Sequence, residues 1–177
     1  LDNRWMVNEG KTLLAKGMKG GYLYNGLDAT LVSMGDITTD IYTYNNGLLA
    51  LGGDLTTPYL YQYGDLAILG DMVDGSETAT TRTITTSGLT SNSDAMISLG
   101  GLSGEVANTL RLDLAGSGEF AGVINGAGQL VKAGVGKLLL SNANTFTGGL
   151  TIEQGGVETT LSGTLADRAA IDVREAG

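Results

Sequence analysis

The sequence predicts an all-β fold, a right-handed parallel β-helix (a β-solenoid) of about 8–9 rungs. Three observations predict it. First, Gly makes up 29 of 177 residues while Pro occurs once, at Pro58. With abundant Thr, Leu, Val and Ile, that is the composition of many short strands joined by tight turns. Second, apolar residues alternate with polar ones in stretches such as Leu110-x-Leu112-x-Leu114, the period-2 signature of a strand with one face inward. Third, the first hundred residues carry an internal period of 17–18. Gly17, Gly35, Gly53, Gly70 and Gly88 recur at that spacing, and Leu13, Leu31, Leu49, Leu66 and Ile84 each lie four residues before one of them. Two further columns, Lys19-Ile37-Leu55-Met72-Thr90 and Leu23-Ile41-Tyr59, keep the same phase. Helical repeats are about 33–47 residues long, so this period suits a coil of two or three short strands.

Such a coil cannot bury its apolar face alone and must stack on neighbours. Stacked coils turn equivalent residues into ladders along a rod near ~40 Å long. The polar stretch Gly75–Thr83 interrupts the period and is read as a looped-out insertion. Leu161–Val173 has some helical spacing, but Gly163 favours strand. Trp5 is expected to be a packed or capping residue.

Composition also excludes chemistries. There is no Cys and no His, so no thiolate nucleophile, zinc cluster or His-based triad can be built within this chain. The net charge of −9 argues against nucleic acid and anionic membranes as partners. No cofactor is implied. The N-terminus LDNRWMVNEG lacks the basic start and apolar stretch of a signal peptide, and the chain is expected to be a piece of a longer protein.

Residues 126–157 read GAGQLVKAGVGKLLLSNANTFTGGLTIEQGGV. This stretch resembles the passenger-associated transport repeat of autotransporters, the type V secretion family. The family's ordered pattern is met by Gly126, Gly128, Leu130, Lys132, Gly134, Gly136, Leu138, Leu140, Ser141, Asn144, Thr145, Thr147, Gly148, Gly149, Ile152 and Gly155, with Phe146 as its aromatic. Asn142 and Leu150 depart from it mildly. The resemblance covers 32 residues. It implies a 1–177 β-helix that is one stretch of a longer passenger, exported to the cell surface or released, and outer-membrane associated through a C-terminal β-barrel translocator. It implies a non-enzymatic rod that displays an adhesive or host-binding surface, its partner a host-cell protein or glycan or a second copy, and whose folding supports secretion. A purely structural stalk, or a polysaccharide lyase or glycosidase built on a β-helix, is the alternative. Residues 144–149 (Asn144, Thr145, Phe146, Thr147, Gly148, Gly149) have turn chemistry: Asn and Thr bond nearby backbone and the Gly pair permits a tight bend.

Two residue sets are candidate sites. Asp36, Asp54 and Asp71 each follow a Gly of the repeat. They are read as structural corners whose carboxylates accept backbone N–H bonds, with a cation site or a catalytic pair as alternatives. The calcium β-roll pattern G-G-x-G-x-D is not met. All seven Tyr lie between residues 22 and 63. Tyr42, Tyr44, Tyr59, Tyr61 and Tyr63 are expected either to stack as a stabilising ladder or to form an exposed binding strip.

Overall fold

A computed structural model describes residues 5–160, 163–165 and 170–174. Among these the chain is all-β, and its sheets are parallel apart from one hairpin. The first sheet has nine strands in spatial order β1 (Trp5–Asn8), β3 (Met18–Asn25), β5 (Ile37–Asn45), β7 (Leu55–Gln62), β11 (Thr81–Ser91), β13 (Thr109–Leu114), β16 (Gln129–Ala133), β18 (Leu150–Ile152) and β20 (Ile171–Val173). The second holds β2 (Lys11–Leu14), β4 (Thr30–Ser33), β6 (Leu48–Leu51), β8 (Asp65–Ile68), β12 (Met96–Ser98) and β15 (Val123–Asn125). The third holds β14 (Gly118–Phe120), β17 (Lys137–Leu140) and β19 (Gly156–Thr159). The remaining pair, β9 (Asp71–Val73) and β10 (Ser76–Thr78), is the antiparallel hairpin. These coils stack into a parallel β-solenoid.

The coil changes shape along the rod. Early turns alternate one long and one short strand. From β13 onward each turn uses shorter strands, and the third sheet appears. The long strands β3 and β5 bend at register irregularities, after Gly20 and between Thr38 and Thr43. Their second halves occupy the face that β14, β17 and β19 continue.

Inward side chains form the expected ladders. Leu31, Leu49, Leu66, Ile97 and Ile124 stack in register, as do Ile37, Leu55, Ile84 and Leu112. All nine are buried, and each contributes about 1.5–3 kcal/mol on leaving water.

The register corrects the repeat in five places. Met18, not Lys19, stacks on Ile37, and Thr12, not Leu13, stacks on Leu31. This first coil is one residue longer than the next, and Leu13 is turned out to solvent. Leu23 meets Thr43, then Leu60 and Leu89, in place of Ile41 and Tyr59. The bend in β5 takes up the extra residues and leaves Ile41 exposed. Gly70-Asp71-Met72 is not a step of the ladder, because the chain leaves the coil at Asp71 for the hairpin, which turns through Asp74 and Gly75, both at positive φ. The insertion is therefore a built hairpin over residues 71–78. Thr81–Thr83 already belong to the rod. Ile84 then stacks on Leu55 in the first sheet and is not a member of the Leu31 column.

At the C-terminal end, Ile171–Val173 is a strand paired with β18, and Asn144 and Leu150 both bond to the segment that follows the repeat. Of the rest of the expected strand, Thr164 makes only an isolated parallel bridge to Ala143, and 161–162 and 166–169 lie outside the described residues.

Candidate binding face and transport repeat

Polar ladders hold the coils together from within. Asn8 Nδ2 donates to Asn25 Oδ1 at 2.8 Å, Asn25 Nδ2 to Asn45 Oδ1 at 2.8 Å, and Asn45 Nδ2 to Gln62 Oε1 at 3.2 Å. Each amide also donates to a backbone carbonyl: Asn8 to Thr30, Asn25 to Leu48, Asn45 to Asp65 and Gln62 to Gly64. All four side chains are buried. A buried amide must be satisfied, and here the next coil satisfies it. Sequence reasoning missed this ladder. Its signal was an Asn or Gln two residues before Gly10, Gly47 and Gly64. A second, shorter ladder joins Thr39 Oγ1 to Thr57 Oγ1 at 2.7 Å, with Thr86 next in register.

The Asp residues divide. The Asp54 N–H donates to Asp36 Oδ1 at 2.9 Å, and the Thr83 N–H donates to Asp54 Oδ1 at 2.8 Å. Each carboxylate thus bonds the backbone of the following coil, the geometry of a structural corner. Asp71 does something else. On the hairpin it meets Arg82 Nη2 at 2.6 Å, which holds its carboxyl below the usual range. Glu77, also on the hairpin, accepts from the Gly70 and Leu102 N–H groups at 2.6 and 2.7 Å. The two clamps fasten the hairpin to the rod. Among the described residues no group of three or more His, Cys, Asp or Glu is placed to hold a metal ion.

The aromatic residues gather on one outward face. Strand alternation turns Leu23, Thr43 and Leu60 inward and Tyr22, Tyr24, Tyr42, Tyr44, Tyr59 and Tyr61 outward. Register then builds two columns. In one, Trp5 stacks on Tyr22 at 6.2 Å between ring centroids, and Tyr22 on Tyr42 at 5.1 Å. In the other, Tyr24 stacks on Tyr44 at 5.2 Å, and Tyr61 follows at 6.0 Å. Tyr63 meets Tyr44 edge-on at 5.3 Å. Burial, then the neighbouring Tyr63 and Tyr24 phenols, raise the Tyr44 pKa above its ordinary value. Tyr59 leans away over Gly88, whose missing side chain leaves room for the ring, and stays 52 % exposed. Trp5 is no core residue: it heads the first column and is 61 % exposed. The strip named from the sequence is thus part of an eight-ring cluster that includes Trp5, Tyr22 and Tyr24.

The transport-type segment is built for stacking. Phe146 is fully buried in the core. Asn144, also buried, accepts from the Ile124 N–H of the preceding coil at 2.9 Å and donates to Asn142 O and to Thr164 O of the following one, at 2.8 and 3.3 Å. The N–H groups of Thr145, Thr147 and Gly148 donate to Ile124, Gly126 and Gly128. Gly149 sits at φ 94°, and a Cβ at Gly148 would lie 2.4 Å from Gly128 O, so both positions demand Gly. The turn at 144–149 therefore serves as a coil-to-coil connector.

Lys132 occupies a core column between Leu112 and Ile152 and has no exposed surface. Its ammonium donates to the carbonyls of Ala133, at 2.5 Å, and Gly134, at 2.8 Å, and reaches Gln154 O at 3.4 Å. Burial lowers its pKa below the ordinary 10.5, and the nearby Asp113 carboxylate partly opposes this. The unfolded chain therefore holds this proton more tightly. Stability from this site rises with pH until the unfolded lysine also deprotonates. The melting-temperature difference between wild type and Lys132→Met is expected to shift in favour of wild type from about pH 8 to about pH 10. A pH-independent difference contradicts this account.

Comparison with known proteins agrees with this build. A family model, the passenger-associated-transport-repeat, matches residues 130–158. No curated protein matches the chain, and no solved structure does. Residues 130–158 cover strands β16 to β19, the Lys132 site and the Asn144–Gly149 connector. The chain is a parallel β-solenoid that carries a passenger-associated transport repeat, the repeat found in autotransporter passengers, at residues 130–158.

Proposed function

We propose that this solenoid is a surface-displayed segment of a passenger whose aromatic face binds a host-cell protein or glycan, while its coil-by-coil folding supports export. The observation that carries the binding reading is the outward cluster of Trp5 and seven Tyr on adjacent coils. Aromatic side chains with polar tips are favoured at contact surfaces. The export reading rests on the transport repeat and on the one-dimensional stacking, in which each added coil gains free energy from its neighbour.

A stalk is the second reading. It is favoured by the ring faces being stacked on one another along the rod, which uses them for cohesion between coils. Binding of the purified chain to glycan arrays and host-cell surfaces separates the two. Changing Tyr42, Tyr59 and Tyr61 to Ser is expected to abolish binding with the circular dichroism of the rod retained. Full binding by that variant sinks the adhesive reading and leaves the stalk.

A further inference from the structure

The aromatic face ends beside an open cavity. On the outward side of β7, Tyr59 and Tyr61 lie in register with Gly88 and Thr90 of the next coil. Ser117 and Glu119 follow on the coil after that. There the Gly116 N–H donates to Ser87 O at 3.0 Å, and a Cβ on Gly118 would lie 2.8 Å from the Leu89 Cβ. Lys137 and Leu139 come next, then Gly156 and Glu158. Gly88 and Ser117 are small, so the first of these two columns is hollow between the Tyr59 ring and Lys137. The ladder also lapses at this seam: β11 pairs with β13 only as far as Thr86, and β14 is an edge strand of its own sheet. A cavity of about 400 Å³ occupies the hollow, walled by Ser117, Glu119, Lys137 and Glu158. That volume falls within the ~300–1,000 Å³ of small-molecule sites. Tyr59 leans over Gly88 in the direction of the cavity and is half exposed.

The walls carry a defined chemistry. Glu119 accepts from Ser141 Oγ through one oxygen, at 2.5 Å, and Glu158 from Lys137 Nζ through one oxygen, at 2.7 Å. Among the described residues the second oxygen of each carboxylate has no partner, and an ammonium has three protons to donate. Thr90 and Ser117 add hydroxyls, and Leu139 stands in register between the two carboxylates as an apolar patch. A sugar is the complement of this set. Its hydroxyl rim suits charged acceptors and donors, and its C–H faces suit apolar and aromatic cover. Two carboxylates against one ammonium leave the walls acidic, which works against a carboxylated or sulfated sugar. We propose that this cavity binds one residue of a neutral glycan, with the next residue of the glycan lying on Tyr59. The inference rests on the adhesive reading and narrows its partner to a neutral saccharide.

A printed array of neutral, sialylated and sulfated oligosaccharides tests the class, followed by calorimetric titration of the neutral oligosaccharide that the array retains best. Saturable binding of one neutral oligosaccharide per chain is expected, with the anionic ones weaker. Glu119→Gln/Glu158→Gln keeps the side-chain shapes at two exposed positions and replaces charged acceptors by neutral ones. It is expected to weaken binding roughly tenfold. Tyr59→Ser, also at an exposed position, is expected to weaken it roughly threefold or more. Wild-type affinity in either variant overturns the proposal, as does a preference for the anionic glycans or the absence of saturable binding to any neutral one. Attachment to host cells that survives enzymatic removal of their glycans, yet is lost when Tyr42, Tyr59 and Tyr61 are changed to Ser, overturns the glycan site and leaves the adhesive reading standing.

Discussion

Phe146→Ala is expected to destabilise the rod by about 4 kcal/mol, the largest effect of any single truncation considered. Phe146 is fully buried within the apolar core. Its removal takes away apolar burial and leaves a void in a narrow interior that has few ways to collapse. The loss falls on the coils of the transport repeat. In a one-dimensional array, damage stays near the coil that suffers it. Amide hydrogen exchange is therefore expected to accelerate over residues 120–160, while the Leu31-Leu49-Leu66 coils keep their protection. Uniform acceleration along the whole rod is the contrary result. It would mean that the solenoid unfolds as one unit.

Asn45→Ala is expected to cost about 3 kcal/mol, more than exchanging an exposed polar residue. Asn45 accepts from Asn25 and donates to Gln62 and to the Asp65 carbonyl. Alanine leaves three groups short of a partner in a buried place, and each such group costs on the order of 1 kcal/mol or more. A double-mutant cycle with Asn25→Ala tests the ladder itself. If the two amides act through their mutual bond, their combined cost falls short of the sum by about 1 kcal/mol. Strict additivity in chemical denaturation would show that the carbonyl bonds, not the ladder, carry the stability.

Much of the architecture was legible in the sequence because a solenoid repeats. Leu31, Leu49 and Leu66 fall in one column at spacings of 18 and 17, and the structure stacks them. The transport repeat was legible for another reason: its Gly and Asn positions meet strict steric and hydrogen-bond demands, as at Gly148 and Asn144. What failed was register wherever a coil changed length. Gly is abundant enough that Gly70 and Gly88 kept the period by coincidence, while the hairpin took the chain out of the coil between them. Burial of polar side chains was illegible for a related reason. Nothing local marks Asn25 as interior, because its partners are supplied by the coils above and below; Lys132 bonds mainly the carbonyls of Ala133 and Gly134, which carry no mark in the sequence, and only register shows it between Leu112 and Ile152. The aromatic face was half legible: alternation placed the tyrosines on one side, but only three-dimensional register shows that Trp5 continues their stack.

The direction of the ladder bonds has a mechanical consequence. Backbone bonds between coils, the Asn8-to-Gln62 amides and the Asp36 and Asp54 corners all point along the rod. A tensile load applied to the chain ends pulls on these bonds one coil at a time, so the rod peels rather than shears. Peeling concentrates the work on the outermost coil and proceeds at nearly constant force. The hairpin is a local exception. Its Glu77 and Arg82 clamps tie Gly70, Leu102 and Leu69 together across neighbouring turns, and a coil stitched in that way resists the advancing tear more than its neighbours do.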